Sequence, residues 1–204
     1  SILFDKRYKG KITMYKEGVA VIKIGGLING VDNPNTMSQA EINKARDTMI
    51  KAKANIRDFW DNEPKAIQDF LAGNVWVTYA WPDTWAQIKA KPKFAKNLVY
   101  MKPKEGALAW VCSFVLSKGA KNADLAHAYV STAISNPSFL YLINAYATGG
   151  AGTSPGILKG ARKDFVKQLD LANPKALDPP KVWLEQWLPN RSAYLKAFQE
   201  VLAA

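Results

Sequence analysis

Asn74-Val75-Trp76-Val77-Thr78-Tyr79-Ala80-Trp81-Pro82-Asp83 is the stretch on which the fold turns. Its first eight residues alternate large side chains as a strand does, and Pro82-Asp83 is positioned to halt the run. The pattern predicts a strand over 74–81 that delivers Trp81 to the edge of a sheet. Immediately upstream, Pro64 to Leu71 predicts a short helix closed by Gly73, so helix leads directly into strand. In α/β sheets the edge beyond the strand ends is where ligands bind.

The same alternation extends in both directions. Lys9-Gly10-Lys11-Ile12-Thr13-Met14 reads as a turn entering a β-like stretch, and Val19 to Ile28 has a helix-compatible pattern. Asn29 to Asn35 is a loop. Ser38-Gln39-Ala40-Glu41 has capping-box spacing, and the helix it opens carries Ile42, Ala45, Met49 and Ile50 inward. Downstream, Lys102-Pro103-Lys104-Glu105-Gly106 is a turn-rich boundary, after which Ala107 to Leu116 has the length and composition of a buried strand. One helix then opens at Asn122, with Leu125, Tyr129, Val130 and Ile134. Another opens at Asn136, with Pro137 at its first position, and closes at Gly149-Gly150. A glycine-rich loop spans 149–156, Asp178-Pro179-Pro180 breaks the chain, and a last helix runs from Arg191 to Leu202. Alternating strands and helices predict α/β architecture rather than a helix bundle.

Composition narrows the function classes. The 204 residues are 48% hydrophobic and 22% charged, with seven Trp, eight Tyr and eight Phe, which excludes a disordered or fibrous chain. The net charge of +11 is spread as +7 over residues 1–105 and +4 over 106–204, so it forms no concentrated basic arm. The densest lysines, at 89, 91, 93 and 96, lack the interleaved aromatics that stack on single-stranded bases, apart from Phe94. Nucleic acid is not the favoured partner. One cysteine and one histidine exclude an internal disulfide and a Cys/His zinc site, and no cofactor or metal is called for. No apolar run approaches the ~20 residues of a membrane span. The segment Ser1 to Arg7 does not read as a signal peptide, so the chain either is cytosolic or starts after such a segment.

Catalysis finds no support in this inventory. His127 has no nucleophile in the pattern of a triad, and Cys112 lies in the run Trp110-Val111-Cys112-Ser113-Phe114, where a buried inert thiol is expected. The glycine loop is not followed by a phosphate-loop Lys-Ser/Thr. What remains is a pair of tryptophans at strand–turn junctions. Trp81 precedes Pro82 and Trp110 follows Gly106, and two such positions in consecutive α/β halves point to a ligand box.

With those motifs in view, the chain resembles the extracytoplasmic spermidine/putrescine-binding proteins of ABC transporters. The resemblance begins at Leu3-Phe4-Asp5-Lys6-Arg7-Tyr8-Lys9-Gly10-Lys11-Ile12-Thr13-Met14, which is similar to that family's lobe-crossover segment. It continues through Asn35-Thr36, Trp81-Pro82-Asp83, Pro103-Lys104-Glu105-Gly106 with Trp110, Lys121-Asn122 and the glycine-rich loop. It implies a type II periplasmic binding protein-like fold, with one complete lobe and the returning part of the other. Residues 1–105 would be lobe two with the crossover segment, and residues 106–204 the carboxy-terminal part of lobe one. The family's first segment has no counterpart, so the resemblance implies a carboxy-terminal portion with exposed apolar surface where its partner segment is missing.

By the same resemblance the protein is periplasmic or extracytoplasmic, is not an enzyme, does not insert in the membrane, and delivers a small polar solute to a permease. Aromatic walls map onto Trp81 and Trp110, and an acidic position maps onto Glu17. The neighbouring acidic position is Ala20, the acid two residues beyond the strand tryptophan is Cys112, and the late-loop aromatic gives way to small residues beside Thr153 and Ser154. Asp83 is a candidate replacement carboxylate. A solute with one cation would use Glu17, Trp81 and Trp110, whereas an anionic solute would use Thr153, Ser154 and loop N–H groups. The alternative from another class is a basic interaction module for nucleic acid or an acidic surface.

Overall fold

The computed structural model describes residues 1–147, 155–180 and 182–204. At its centre lies β1 (Ile12–Tyr15), flanked by β2 (Ile56–Trp60) and β3 (Val77–Tyr79) in a parallel sheet of order β2-β1-β3. Ile12, Thr13 and Met14 are all buried, as befits a central strand covered on both faces. Thr13 Oγ1 donates to Thr78 Oγ1 across the β1–β3 pair at 3.0 Å.

The β1-to-β2 crossover is made by α1 (Gly18–Ile28) and α2 (Gln39–Lys53), and α3 (Glu63–Leu71) returns the chain to β3. Each helix starts where its sequence says it should. Glu17 caps α1 by accepting from the Ala20 amide. The Ser38/Glu41 capping box forms in full at α2. Asn62 caps α3, and Gly73 follows it at φ +76°, a conformation that L side chains rarely adopt. Gly25 lets α1 lie close on α2, because a Cβ there would sit 2.6 Å from the Ala45 carbonyl oxygen.

Only part of the 74–81 run is a strand. Val77, Thr78 and Tyr79 pair with β1, while the amides of Trp76 and Val77 both donate to the Lys11 carbonyl and Trp76 faces solvent. Pro82-Asp83 does not make a turn but opens α4 (Pro82–Lys89), with Trp81 as its N-cap residue. Proline at the first position and an acid in the first turn are helix-start signals, and here they act as such.

The run 107–116 departs further from expectation. Only β4 (Ala107–Ala109) pairs, in parallel with β5 (Val182–Leu184), and residues 110–120 are exposed. Cys112, expected to be a buried inert thiol, is therefore an exposed one. The helix expected from Asn122 is α5 (Ala123–Ala133), yet it buries no residue: Leu125 is 70% and Tyr129 65% exposed. Periodicity marks an apolar face but does not supply the surface that covers it. With Trp110, Val111, Phe114, Val115 and Leu116 it makes the uncovered apolar surface expected above.

α6 (Asn136–Tyr146) is capped from Ser135 rather than from Asn136, and it ends at Ala147 in a left-handed conformation, ahead of the expected Gly149-Gly150. Residues 149 and 150 lie outside the described residues, as do Gly152, Thr153 and Ser154. α7 (Pro155–Gly160) and α8 (Lys163–Leu169) follow, and Phe165 of α8 packs with Trp85 and Ala86 of α4 and with Ala147.

The last helix, α9 (Arg191–Ala203), packs back against α1 and α2. Tyr194, Ala197, Phe198 and Val201 join the core built by β1, α1 and α2, with Phe198 packed against Gly18. The Tyr194 hydroxyl accepts from the Met37 amide at 3.2 Å and donates to the Pro34 carbonyl at 3.1 Å. Residues of α9 thus share one core with residues of β1, α1 and α2.

Candidate functional site

All three strands of the central sheet run the same way, so their carboxyl ends lie side by side, and each ends in or near an aromatic residue. Tyr15 closes β1, Trp60 closes β2, and Trp81 stands two residues beyond β3. Trp110 stands one residue beyond β4. The rings meet: Tyr15 lies 4.9 Å from Trp60 and 4.8 Å from Trp81, Trp60 lies 5.4 Å from Trp81, and Trp81 lies 6.0 Å from Trp110. Three of these four contacts are edge-to-face, the arrangement that ring quadrupoles favour. Trp60 is buried with its indole N–H unpartnered, Tyr15 and Trp81 are half-buried, and Trp110 is 50% exposed. The cluster therefore grades from the buried Trp60, through Trp81, to the open ring of Trp110.

Charged groups surround it. Glu17, two residues past Tyr15, holds the Ala20 amide through Oε2, and its Oε1 lies 3.8 Å from Arg191 Nη2 at the start of α9. Ala20, where the resemblance has a second acid, thus contributes a backbone N–H to the first one. Glu185 follows β5, and its amide donates to the Ala109 carbonyl at 2.7 Å, which fixes it next to the residue preceding Trp110. Its Oε1 lies 3.6 Å from Lys23 Nζ on α1. Lys16 and Asp61, at the ends of β1 and β2, form an exposed pair at 3.9 Å.

These charges act on their neighbours. Burial pulls the Lys23 ammonium below its ordinary value, opposed by the attraction of Glu185 and then of Glu17. Burial likewise pushes the Tyr79 phenol, at the end of β3, well above its ordinary value, with the negative charges of Glu185 and Glu17 adding to the effect. Asn35 ties the loop after α1 to the same place: its Nδ2 donates to the Leu184 carbonyl at 3.0 Å, while its buried Oδ1 has no partner.

The structure thus brings Trp81 and Trp110 into ring contact and sets Glu17 near them at the end of β1. Asp83 lies in the first turn of α4, where its charge is felt by Tyr100, whose phenol is pushed up to about 12, chiefly by burial. Cys112 is exposed, two residues beyond Trp110. Tyr15, Trp60, Glu185 and Lys23 are members that the sequence reading did not select. Tyr15 could have been found as the last residue of a short β-like run, but nothing near Trp60, Glu185 or Lys23 signals that elements far apart in sequence bring them to the same place. Among the described residues, no three His, Cys, Asp or Glu side chains are grouped to hold a metal ion, and no helix is long and apolar enough to cross a membrane.

Parallel strands whose carboxyl ends carry clustered aromatic and ionic side chains define an α/β protein with a candidate site at the strand ends, the usual location for ligands in open α/β sheets. The family model described as bacterial extracellular solute-binding protein matches residues 2–170, and the chain belongs to that family. It is 30% identical over 129 residues to the spermidine/putrescine-binding periplasmic protein 1 of Haemophilus influenzae, covering 63% of this chain and 34% of that one. It is 24% identical to the putrescine/cadaverine-binding protein of Pseudomonas aeruginosa, over 91% of this chain and 57% of the relative. The fold matches the TpPotD lipoprotein of Treponema pallidum with a TM-score of 0.74 at 17% identity, over 98% of this chain and 60% of that one. It also matches the spermidine/putrescine ABC transporter substrate-binding protein PotD of Streptococcus pneumoniae with a TM-score of 0.71 at 17% identity, over 99% and 60%. The fold is therefore of the periplasmic binding protein type, and the chain spans about 60% of the length of these solved relatives.

Proposed function

We propose that the protein is the solute-binding component of an ABC transporter, which captures a small polar amine at the aromatic cluster and delivers it to a permease. The observation that carries this reading is the cluster of four rings at the carboxyl ends of parallel strands, in which Tyr15, Trp60 and Trp81 touch one another and Trp110 joins through Trp81. Aromatic faces attract ammonium groups and cover alkyl stems, each contact contributing about 0.5–2 kcal/mol. Glu17 and Glu185 supply the carboxylates nearby. The relatives named for polyamine binding and for the periplasm support an extracytoplasmic, non-catalytic role.

In this reading the central sheet, with α1 to α4 and α9, forms one lobe, and β4 to β5 belong to the returning part of the other. Asp83 and Cys112 stay in the proposal as solute contacts, and Thr153 and Ser154 as the contacts that an anionic solute would use instead. Calorimetry of the purified protein against small amines, amino acids and small anions tests the reading. Saturable binding of an amine that is lost in Trp110→Ala is expected. A blank across the panel, or DNA binding that weakens steeply with salt, would overturn it.

A further inference from the structure

α1 reads Gly18-Val19-Ala20-Val21-Ile22-Lys23-Ile24-Gly25-Gly26-Leu27-Ile28, and Lys23 is its one charge. The Lys23 side chain is 0% exposed, while Glu185, its ion-pair partner, keeps 31% of its side chain open. The 3.6 Å separation is an ion pair longer than a hydrogen bond, and Nζ has no hydrogen-bond partner. By contrast, the other carboxylate near the cluster faces a guanidinium that is 45% exposed and 3.8 Å away. Exposed pairs of that kind contribute about 0–1 kcal/mol and yield readily to a competing cation. A pair with one fully buried member does not: withdrawing Glu185 leaves the Lys23 ammonium buried and unpaired, at a cost of several kcal/mol.

The two carboxylates are therefore unequal. Glu17 can exchange Arg191 for a solute ammonium, whereas Glu185 is already held by an ammonium that the protein carries within its own core.

Resting on the reading of the cluster as an amine site, we propose that Lys23 is a resident counter-ion that occupies Glu185, so that the site takes solutes with a single ammonium group in preference to linear diamines. Lys23 thereby acts as a specificity-determining residue without touching the solute. A second ammonium placed near Glu185 would meet a carboxylate already neutralised and the positive charge of Lys23 beside it. A methionine at 23 fills the same space as the lysine stem and returns the Glu185 charge to the solute.

The test measures calorimetric affinities of the full chain for butylamine, 4-aminobutanoate and 1,4-diaminobutane, in wild type, Lys23→Met and Lys23→Arg. Wild type should prefer the two single-ammonium probes. The preference should shift toward the diamine on the order of tenfold in Lys23→Met and stay unchanged in Lys23→Arg. Should Lys23→Met fail to fold, Lys23→Leu serves instead and should shift the preference toward the diamine in the same direction. A wild type that binds the diamine as tightly as Lys23→Met does would overturn the role of Lys23 while leaving the solute-binding reading intact. So would a Lys23→Leu variant whose preference matches that of wild type. Absence of binding by all three probes to folded protein would overturn both.

Discussion

Replacing Tyr194 by Phe tests whether α9 pins the loop that carries Asn35 to the strand ends. The ring stays and only the hydroxyl is lost, so packing in the core is preserved. Tyr194 is 0% exposed, and its hydroxyl serves two backbone groups at once, the Met37 N–H at 3.2 Å and the Pro34 carbonyl at 3.1 Å. Met37 is itself 2% exposed, so water cannot readily replace the lost partner. An orphaned buried backbone group costs roughly 1–3 kcal/mol. With two groups affected, and a carbonyl retaining a second lone pair, the expected loss is about 2–4 kcal/mol.

For a chain of this size that corresponds to a fall in Tm of about 5–15 °C. Thermal unfolding followed by circular dichroism gives the shift, and amide exchange of Met37 reports the local consequence. A Tm within about 1 °C of wild type, with the Met37 amide still protected, would refute the claim that this hydroxyl closes the loop.

Three further perturbations probe other parts of the account. Gly25→Ala puts a Cβ 2.6 Å from the Ala45 carbonyl and 3.0 Å from Met49, so α1 and α2 must separate; a loss of about 1–3 kcal/mol in chemical unfolding is expected, and a neutral result would contradict the packing. Trp110→Ala should change Tm by less than about 2 °C because half the ring is already in water, yet abolish most amine binding; unaltered affinity would remove Trp110 from the site. Because the folded-state pKa of Lys23 lies below the ordinary 10.5, the unfolded chain binds the extra proton between those two values, and wild type gains stability as pH rises through that window. Lys23→Met lacks that gain, so Tm of wild type relative to the variant should climb as pH approaches 10.5. A constant difference would show that Lys23 is not held at a depressed pKa.

Local chemistry made much of the first half of the chain legible. The Ser38/Glu41 capping box, the apolar pattern of 19–28 and the helix ending before Gly73 are each written in residues a few positions apart, and each forms as read. Where a signal served two purposes it misled: Pro82-Asp83 suits a strand stop and a helix start equally, and the helix α4 won. β2 was hidden because Arg57 and Asp58, side by side and exposed, break the alternation that marks a half-buried strand. The 107–116 run shows the converse failure, since composition promises burial but only neighbouring chain can provide it.

Of the candidate site, Trp81 and Trp110 could be read because the two tryptophans stand at strand–turn junctions, and Glu17 only through the resemblance. Lys23 and Glu185 could not. They lie 162 positions apart in the numbering, and only the joining of β5 to β4 beside α1 makes them partners.

The most direct measurement is the crystal structure of the protein grown with a small amine that it binds. The account places the solute against the exposed face of Trp110, with its ammonium within ion-pair distance of Glu17 and Lys23 still on Glu185. Electron density for the solute elsewhere would contradict it, for instance in the roughly 480 Å³ groove between α2 and α9 that is lined by Arg46, Lys196 and Glu200.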